Sequence, residues 1–167
     1  MLLGLSKIID CPGGVVPFET SLDLSDLEFG SCCPLTEPVH AVGQVRNTAG
    51  VLVLTGELTT RLHGICDRCA KEVEEDFQLD LEAVLVTKLE SDDGLEDPWT
   101  FELIGNDADL EDILTTAVVL NMDSQLLCSE DCQGLCSRCG ADLNQGPCRC
   151  KPEADPRLAV LQQLLKK

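Results

Sequence analysis

Cysteine is the residue whose number and spacing in this sequence could do chemistry. The 167-residue chain has 11 cysteines, and six of them lie in the segment CSEDCQGLCSRCGADLNQGPCRC, from Cys128 to Cys150. A further closely spaced pair, Cys66-Asp-Arg-Cys69, lies far upstream. Two cysteines separated by two residues can both reach one metal ion from a tight turn, and tetrahedral Zn²⁺ takes four such ligands. The spacing therefore favours a metal-binding protein.

These eight cysteines divide naturally into two sets of four. The pattern Cys136-x2-Cys139 combines with Cys148-x-Cys150 into a compact local set, which leaves Cys128 and Cys132 in need of partners from elsewhere. The predicted partition is a first site of Cys66, Cys69, Cys128 and Cys132 and a second site of Cys136, Cys139, Cys148 and Cys150. We expect one or two structural zinc ions, with two as the preferred number. The first would clip the upstream pair to the C-terminal tail.

The remaining cysteines and the histidines have no comparable pattern. Cys11, Cys32 and Cys33 lack metal-binding spacing and are expected to be ordinary thiols. His63 lies three residues before Cys66 and could replace a ligand, but a histidine at the end of a strand is the favoured interpretation. Burial of the clustered thiols as small hydrophobic residues is the other interpretation, and the hydrophilic character of the tail disfavours it.

Four cations lie among the cysteines: Arg68, Arg138, Arg149 and Lys151. A zinc ion bound by four thiolates carries two negative charges, which these side chains could offset locally. Alternatively, Arg138, Arg149 and Lys151 are candidates for contact with RNA or a protein partner. The sequence leaves both interpretations open.

Enzyme classes that use clustered cysteines fit this chain poorly. Cys132-x3-Cys136-x2-Cys139 has the spacing of 4Fe-4S radical enzymes, but those enzymes need a far larger barrel. Thiol-redox motifs are expected to open a helix after a strand, and zinc deaminases need a histidine-x-glutamate partner that is absent. A site of four thiolates has no open coordination position for a substrate. We therefore expect a non-enzymatic protein without a small-molecule substrate.

Charge is unevenly placed along the chain, whose formal net charge is −18. Residues 61 to 127 hold 4 basic and 18 acidic groups, whereas residues 128 to 167 hold 6 and 5. Few cations are available to displace phosphate counterions, so a basic protein is a better partner than a broad nucleic-acid surface. The acidity could also serve solubility alone. No apolar run is long enough for a membrane span and no signal peptide is evident, which predicts a cytoplasmic protein with no membrane contact.

Alternating apolar and polar residues predict a largely antiparallel sheet. Residues 1 to 9 and 15 to 24 are predicted to be extended, and residues 38 to 65 form a hairpin with its turn at Asn47 to Gly50. Residues 72 to 88 are predicted to form a strand with one acidic face. A loop follows from Leu89 to Pro98, and then a short strand from Trp99 to Ile104.

Two helices are predicted. The first lies near residues 109 to 121, is capped by Asp107 or Asp109, and packs on the sheet through Leu110, Ile113, Leu114, Ala117 and Val118. The second has Asp155 as N-cap, Pro156 at its first position and an apolar stripe of Leu158, Leu161, Leu164 and Leu165. The expected fold is α+β: a mainly antiparallel sheet with one or two helices and a Cys-rich, zinc-stapled C-terminal segment. Residues 1 to 127 would form an acidic β-rich domain on which residues 128 to 167 pack.

The segments CDRC (Cys66 to Cys69), LLCSEDCQGLCSRCGADLNQGPCRC and DPRLAVLQQL together resemble the YceD family of large ribosomal RNA subunit accumulation proteins. This resemblance implies a bacterial cytoplasmic protein that is needed for 23S ribosomal RNA accumulation and has no established catalytic activity. Genes of the family commonly neighbour that of ribosomal protein L32. The expected partners are therefore a basic ribosomal protein, with L32 as a candidate, or the pre-50S particle.

Two other functions remain open at this point. The tail from residue 126 to 167 could bind 23S ribosomal RNA directly, as an RNA-binding zinc module. The cysteines could instead serve a redox- or metal-sensing protein, whose thiols would titrate reversibly without unfolding.

Overall fold

The structure is a computed structural model that describes residues 1–29, 33–87 and 98–150. The predictions for Cys32, Lys151, most of the loop from Leu89 to Pro98 and the C-terminal helix lie outside the described residues. The strands are β1 (Leu2–Gly4), β2 (Val15–Leu22), β3 (Val39–Thr48), β4 (Val51–Ile65), β5 (Glu72–Val86), β6 (Thr100–Glu102) and β7 (Asp107–Asp109). The α-helix is α1 (Leu110–Asn121), and a 3₁₀ turn follows at Leu143–Gln145.

The main sheet has five strands in the order β2-β3-β4-β5-β6. Neighbours from β2 to β5 are antiparallel, and the short β6 is parallel to β5. β1 pairs with β7 in a separate two-stranded sheet. The mainly antiparallel α+β fold predicted from the sequence is thus confirmed. Within the described ranges, no helix has the length and apolar character that crossing a membrane would require.

The β3–β4 hairpin forms where the sequence predicts it. Thr48 pairs with Val51, so Ala49 and Gly50 alone make the turn, and both have positive φ, at 55° and 98°. Two central residues with positive φ are typical of the type I′ turn, whose twist matches that of the flanking strands. On β4 the even-numbered leucines then point into the core.

Asn47 joins this hairpin to the N-terminal segment. Its side chain is 1% exposed, and its Nδ2 donates to the carbonyls of Ile8 and Ile9 at 2.7 and 2.8 Å. Its Oδ1 accepts from the N–H of Gly50 at 2.8 Å, and its backbone N–H donates to the carbonyl of Gly14. A buried amide whose polar atoms are all bonded in this way fixes the local chain path.

The prediction of an extended segment over residues 1 to 9 is only partly right. The strand ends at Gly4, and the N–H groups of Ile8 and Ile9 donate to the carbonyl of Leu5 in a helical turn. The turn forms because it buries both Leu5 and Ile8 in the core, and because Asn47 bonds the carbonyls that a sheet neighbour would otherwise have bonded.

β5 has the alternation predicted for an acidic-faced strand. Leu81, Ala83 and Leu85 are buried, whereas Asp80 and Glu82, on either side of Leu81, are exposed. The predicted short strand within residues 99 to 104 is present as β6.

α1 lies where the capping signal places it. The Asp109 carboxylate accepts from the N–H of Glu111 at 3.1 Å, and it also accepts from the N-terminal amine of Met1 at 3.0 Å. The predicted apolar face is buried in the same core as the sheet: Leu110, Ile113, Leu114, Ala117 and Val118. The helix ends at Asn121 and so delivers the chain to the first cysteine of the tail.

Replacing Asn47 by alanine should lower the free energy of unfolding by about 2–3 kcal/mol, because the carbonyls of Ile8 and Ile9 lose their donor. Urea unfolding followed by circular dichroism measures this. The matched control is Asn106→Ala, which removes an exposed amide 3.5 Å from Ser6 Oγ and should cost no more than about 0.5 kcal/mol. Equal costs for the two variants would contradict the role given to Asn47.

Candidate metal centres

The turn between β4 and β5 presents Cys66 and Cys69 side by side. The N–H of Ala70 donates to the carbonyl of Cys66 at 2.8 Å, and the N–H of Cys66 donates to the carbonyl of Lys71 at 2.7 Å. Ala70 has φ 57°, in the left-handed region. We call residues 66 to 71 the first CxxC turn.

The tail repeats this arrangement in residues 136 to 141, the second CxxC turn. The N–H of Gly140 donates to the carbonyl of Cys136 at 2.9 Å, and the N–H of Cys136 donates to the carbonyl of Ala141 at 2.8 Å. Gly140 has φ 69°. Each turn therefore has the same two backbone hydrogen bonds and one left-handed residue directly after its second cysteine.

Each turn contributes two sulfur atoms to a group of four. The first cysteine cluster consists of Cys66, Cys69, Cys128 and Cys132, and the second of Cys136, Cys139, Cys148 and Cys150. Within each cluster the ligand atoms lie within 4.8 Å of one another. The membership of both clusters is the partition that the cysteine spacing predicts.

The sulfur distances suit a tetrahedral ion. Cys66 and Cys132 lie 3.8 Å apart, Cys69 and Cys128 3.5 Å, and Cys136 and Cys148 3.4 Å. A zinc ion with sulfur ligands at about 2.3 Å separates neighbouring sulfur atoms by roughly 3.8 Å. Both clusters could thus hold a metal ion.

His63 belongs to neither cluster. Its Nε2 lies 3.3 Å from the Glu37 carboxylate, and its Nδ1 lies 3.6 Å from that of Glu74. The sequence favoured a histidine at the end of a strand over a metal ligand, and the position of His63 agrees with that prediction.

Backbone amides prepare one sulfur atom in each cluster for metal binding. Burial alone would raise the pKa of the Cys66 thiol, but hydrogen bonds from the N–H groups of Cys128, Cys69 and Arg68 lower it to about 6. The equivalent N–H groups of Cys139 and Arg138 lower the pKa of Cys136 to about 6. Since the thiolate is the form that binds metal, both turns stabilise the ligand state.

Other thiols of the same clusters are held in their neutral form. The sulfur atoms of Cys69 and Cys132 raise the pKa of Cys128 to about 12, and the sulfur of Cys139 raises that of Cys150 to about 12. The main cause is hydrogen bonding, because a neutral thiol can donate to a neighbouring sulfur atom and a thiolate cannot; burial and repulsion between thiolates add to it. A divalent cation between the four sulfur atoms would favour the thiolate form of all of them, so the donor set fits a metal ion.

Arg68 holds the tail against the first CxxC turn. Its carbonyl accepts from the N–H of Leu135 at 2.9 Å, and its Nη1 donates to the carbonyls of Cys132 and Glu130 at 3.0 and 3.3 Å. Arg68 therefore has a structural role at the first cluster, through bonds to carbonyls of the tail. Arg138 and Arg149 are exposed at the second cluster.

Asp67 makes a second connection between the same segments. Its carboxylate accepts from the N–H of Leu126 at 2.8 Å, and its own N–H donates to the carbonyl of Leu126 at 2.9 Å. Leu126 and Leu127 pack against Cys66 and Cys132 in a small core separate from that of the sheet. Cys66 and Cys132 are each 2% exposed. The first cluster is thus closed to solvent on most sides, as structural sites are.

Three residues that support the clusters are not apparent from the cysteine pattern. Lys71 and Asp142 form an ion pair at 2.9 Å that joins the first CxxC turn to the residue directly after the second. Lys71 and the N–H of Asn144 lower the pKa of Asp142 to about 2. Asn144 accepts from the N–H of Gln133 and directs its Nδ2 to the Cys132 sulfur at 3.5 Å. The only sequence signal among these three residues is the pattern Asp142-x-Asn144, which is typical of a capped turn.

Comparisons with known proteins agree with this architecture. The sequence model of the family described as "Large ribosomal RNA subunit accumulation protein YceD" matches residues 54–165. An uncharacterized protein of Mycobacterium tuberculosis is 30% identical over 150 residues, which cover 89% of this chain and 70% of that protein. An uncharacterized protein of Mycobacterium leprae is 23% identical over 167 residues, covering 92% and 72% respectively. No solved structure matches the chain.

Gly134 should be a sensitive position of the tail, and Gly140 a tolerant one. Both have left-handed φ, at 72° and 69°, but a Cβ at Gly134 would lie 2.8 Å from the Arg68 carbonyl oxygen, whereas a Cβ at Gly140 would contact nothing within 4 Å. Gly140→Ala should cost about 1 kcal/mol, since Ala70 occupies the equivalent position of the first turn.

Gly134→Ala should cost about 3 kcal/mol, because strain and the backbone clash add. Urea unfolding of the two metal-loaded variants makes the comparison. Equal midpoints would mean that the contact between Gly134 and Arg68 does not hold the tail in place.

Proposed function

The chain belongs to the YceD family of large ribosomal RNA subunit accumulation proteins, and we propose that it is a non-enzymatic factor that supports 23S ribosomal RNA accumulation during large-subunit assembly. The family match carries this proposal, because residues 54–165 include β5, α1 and both cysteine clusters. A cytoplasmic location follows from the same role.

The form of the metal sites supports a structural and non-catalytic part for them. Catalytic zinc keeps a coordination position open for water or substrate, whereas four thiolates close the coordination sphere. We assign one zinc ion to each cluster. In the first, the ion would hold the β4–β5 turn against the tail; in the second, it would hold the tail in its own folded shape.

A basic ribosomal protein is the partner that the charge distribution favours. β5 carries exposed Glu72, Glu74, Asp76, Asp80 and Glu82 on one face. A concentrated negative field of this kind attracts a small basic protein before it reaches RNA and so limits its nonspecific binding. Ribosomal protein L32 is the first candidate, and the pre-50S particle is the destination.

Direct contact with ribosomal RNA is the second candidate role. Exposed Arg138 and Arg149 at the second cluster are the observation in its favour. The two roles differ in the surface used: β5 for a basic protein, and the second CxxC turn for RNA.

Elemental analysis of the purified protein should find two zinc ions per chain, and thiol titration should find three reactive cysteines, because the two clusters use eight of the 11. The unprotected thiols should be Cys11, Cys32 and Cys33. Removal of zinc by a chelator should lower the melting temperature, since metal binding contributes to folding free energy. An unchanged melting temperature would contradict a structural role for the metal.

Single ligand variants should separate the two sites. Cys132→Ser should lose one zinc ion and lower the melting temperature by about 10 °C, because the tail then detaches from the sheet. Cys148→Ser should also lose one zinc ion, with a smaller change, because the second cluster joins only nearby residues. The control Cys11→Ser alters an exposed thiol and should change neither quantity.

Binding to a basic ribosomal protein should depend on salt. With the immobilised full chain and purified ribosomal protein L32, raising salt from about 0.1 M to about 0.5 M should weaken binding roughly tenfold, because screening shortens the reach of the acidic face. Binding that ignores salt, or no binding of any basic ribosomal protein, would contradict the charge mechanism. Binding of ribosomal RNA that Arg138→Gln and Arg149→Gln abolish would favour the second candidate role.

A further inference from the structure

β5 has a long edge with few sheet partners. β6 pairs only with Val84, Leu85 and Val86, and no other strand among residues 1–29, 33–87 and 98–150 pairs with β5 on that side. The stretch from residue 72 to 83 therefore presents one free sheet edge within the described chain. An unpaired edge of this length is a template for another strand.

The register shows which backbone groups face this edge. The N–H of Val84 donates to the carbonyl of Trp99, and the carbonyl of Val86 accepts from the N–H of Leu103, so these two residues direct their polar groups away from β4. The pairing of β4 with β5 runs without a bulge from Leu52↔Leu85 to Ile65↔Glu72. Because the strand repeats every two residues, the even-numbered residues from 72 to 82 direct their N–H and C=O groups to the free edge.

The same residues carry the acidic face. We call them the edge column: Glu72, Glu74, Asp76, Gln78, Asp80 and Glu82. All six are exposed, and five are acidic. Free backbone groups and negative side chains thus coincide residue by residue along one line.

Local cations neutralise little of this charge. Arg61 pairs with Asp76 at 3.0 Å, and His63 lies 3.6 Å from Glu74. The β4 residues opposite Asp80 and Glu82 are Glu57 and Thr55, which supply no positive charge.

The inner side of the same stretch adjoins a cavity of mixed character. Its volume is about 160 Å³; Phe77, Leu62, Met122 and Leu126 line its apolar part, and its polar lining includes Asp67, Glu75 and Asp123. In a strand added to this edge, every second side chain would lie on the face of the edge column, and the side chains between them would lie on the inner face.

We propose that the free edge of β5 binds an extended basic segment of a partner protein as an additional antiparallel strand. Its lysine or arginine side chains, at every second position, face the edge column, and the apolar side chains between them face the inner side. Opposite charges on directly paired residues stabilise such a strand, and backbone hydrogen bonds add affinity. The inference rests on the proposed function in taking a basic protein as partner, and adds the mode of binding.

Two simpler roles for the edge column make different predictions. Charged side chains can protect an edge from aggregation and bind nothing. A second copy of the chain could also pair with the edge, but β5 against β5 would oppose carboxylates to carboxylates, which is destabilising.

A synthetic peptide with alternating lysine and valine over roughly nine residues tests the proposal on the full, zinc-loaded chain. Two N-methylated forms have equal mass and charge: methylation at the lysines blocks the N–H groups that pair with β5, and methylation at the valines blocks those on the far side. We expect the lysine-methylated form to bind at least about tenfold more weakly than the valine-methylated one, measured by fluorescence anisotropy.

Hydrogen exchange gives a readout that charge attraction alone would not change. On saturation with the unmodified peptide, the amides of the even-numbered residues from 72 to 82 should exchange at least about tenfold more slowly. Unchanged exchange, or equal affinity of the two methylated forms, would overturn strand addition. The salt-dependent binding of the whole ribosomal protein is a separate measurement, so the proposed function survives that result.

Side-chain variants locate the peptide. Asp80→Asn combined with Glu82→Gln should weaken peptide binding roughly tenfold, and the control Glu19→Gln, an exposed acid on β2 at the far side of the sheet, should not. If Glu19→Gln weakened peptide binding more than the double variant did, the assignment to β5 would be overturned. Self-association of the free chain through this edge, seen by sedimentation, would do the same.

Discussion

The contact between the tail and the β4–β5 turn centres on four sulfur atoms that converge from two distant segments of the chain. Cys66 and Cys69 come from the β4–β5 turn, and Cys128 and Cys132 come from the start of the tail. At separations of 3.5 to 3.8 Å between paired sulfur atoms, four thiolates repel one another unless a cation lies among them. A metal ion bound here would therefore couple docking of the tail on the sheet to metal binding, and the hydrogen bonds of Asp67 and Arg68 join the same two segments.

The two CxxC turns show how one local structure can serve two purposes. Their backbone hydrogen bonds are equivalent, yet the first cluster is largely buried and joins distant residues, whereas the second is more exposed and joins neighbours. The first thus determines where the tail lies, and the second determines the tail's own shape. The ion pair of Lys71 and Asp142 links the first turn to the residue that follows the second.

Features encoded by local spacing could be predicted, and those that depend on distant contacts could not. Local cysteine spacing predicted the second cluster, and elimination then predicted the first; alternation with a period of two predicted the faces of β4 and β5. The segment LSKII after Gly4 is compatible with a strand or a turn, and Asn47, distant in the sequence, decides between them by bonding the carbonyls of Ile8 and Ile9. Lys71 and Asp142 likewise meet only once the clusters have formed, so neither residue alone indicates the pair.

The metal centres and the acidic strand belong to one electrostatic arrangement. A zinc ion with four thiolates has a net charge of about −2, and the first cluster lies directly before Glu72, where β5 begins. The nearest cations of the first turn, Arg68 and Lys71, are engaged with the tail's carbonyls and with Asp142. A metal ion in the first cluster would therefore anchor one end of β5 and leave the negative field of the strand in place. A rigid, negatively charged strand is a better receptor for a basic segment than a flexible one, because less ordering entropy is lost on binding.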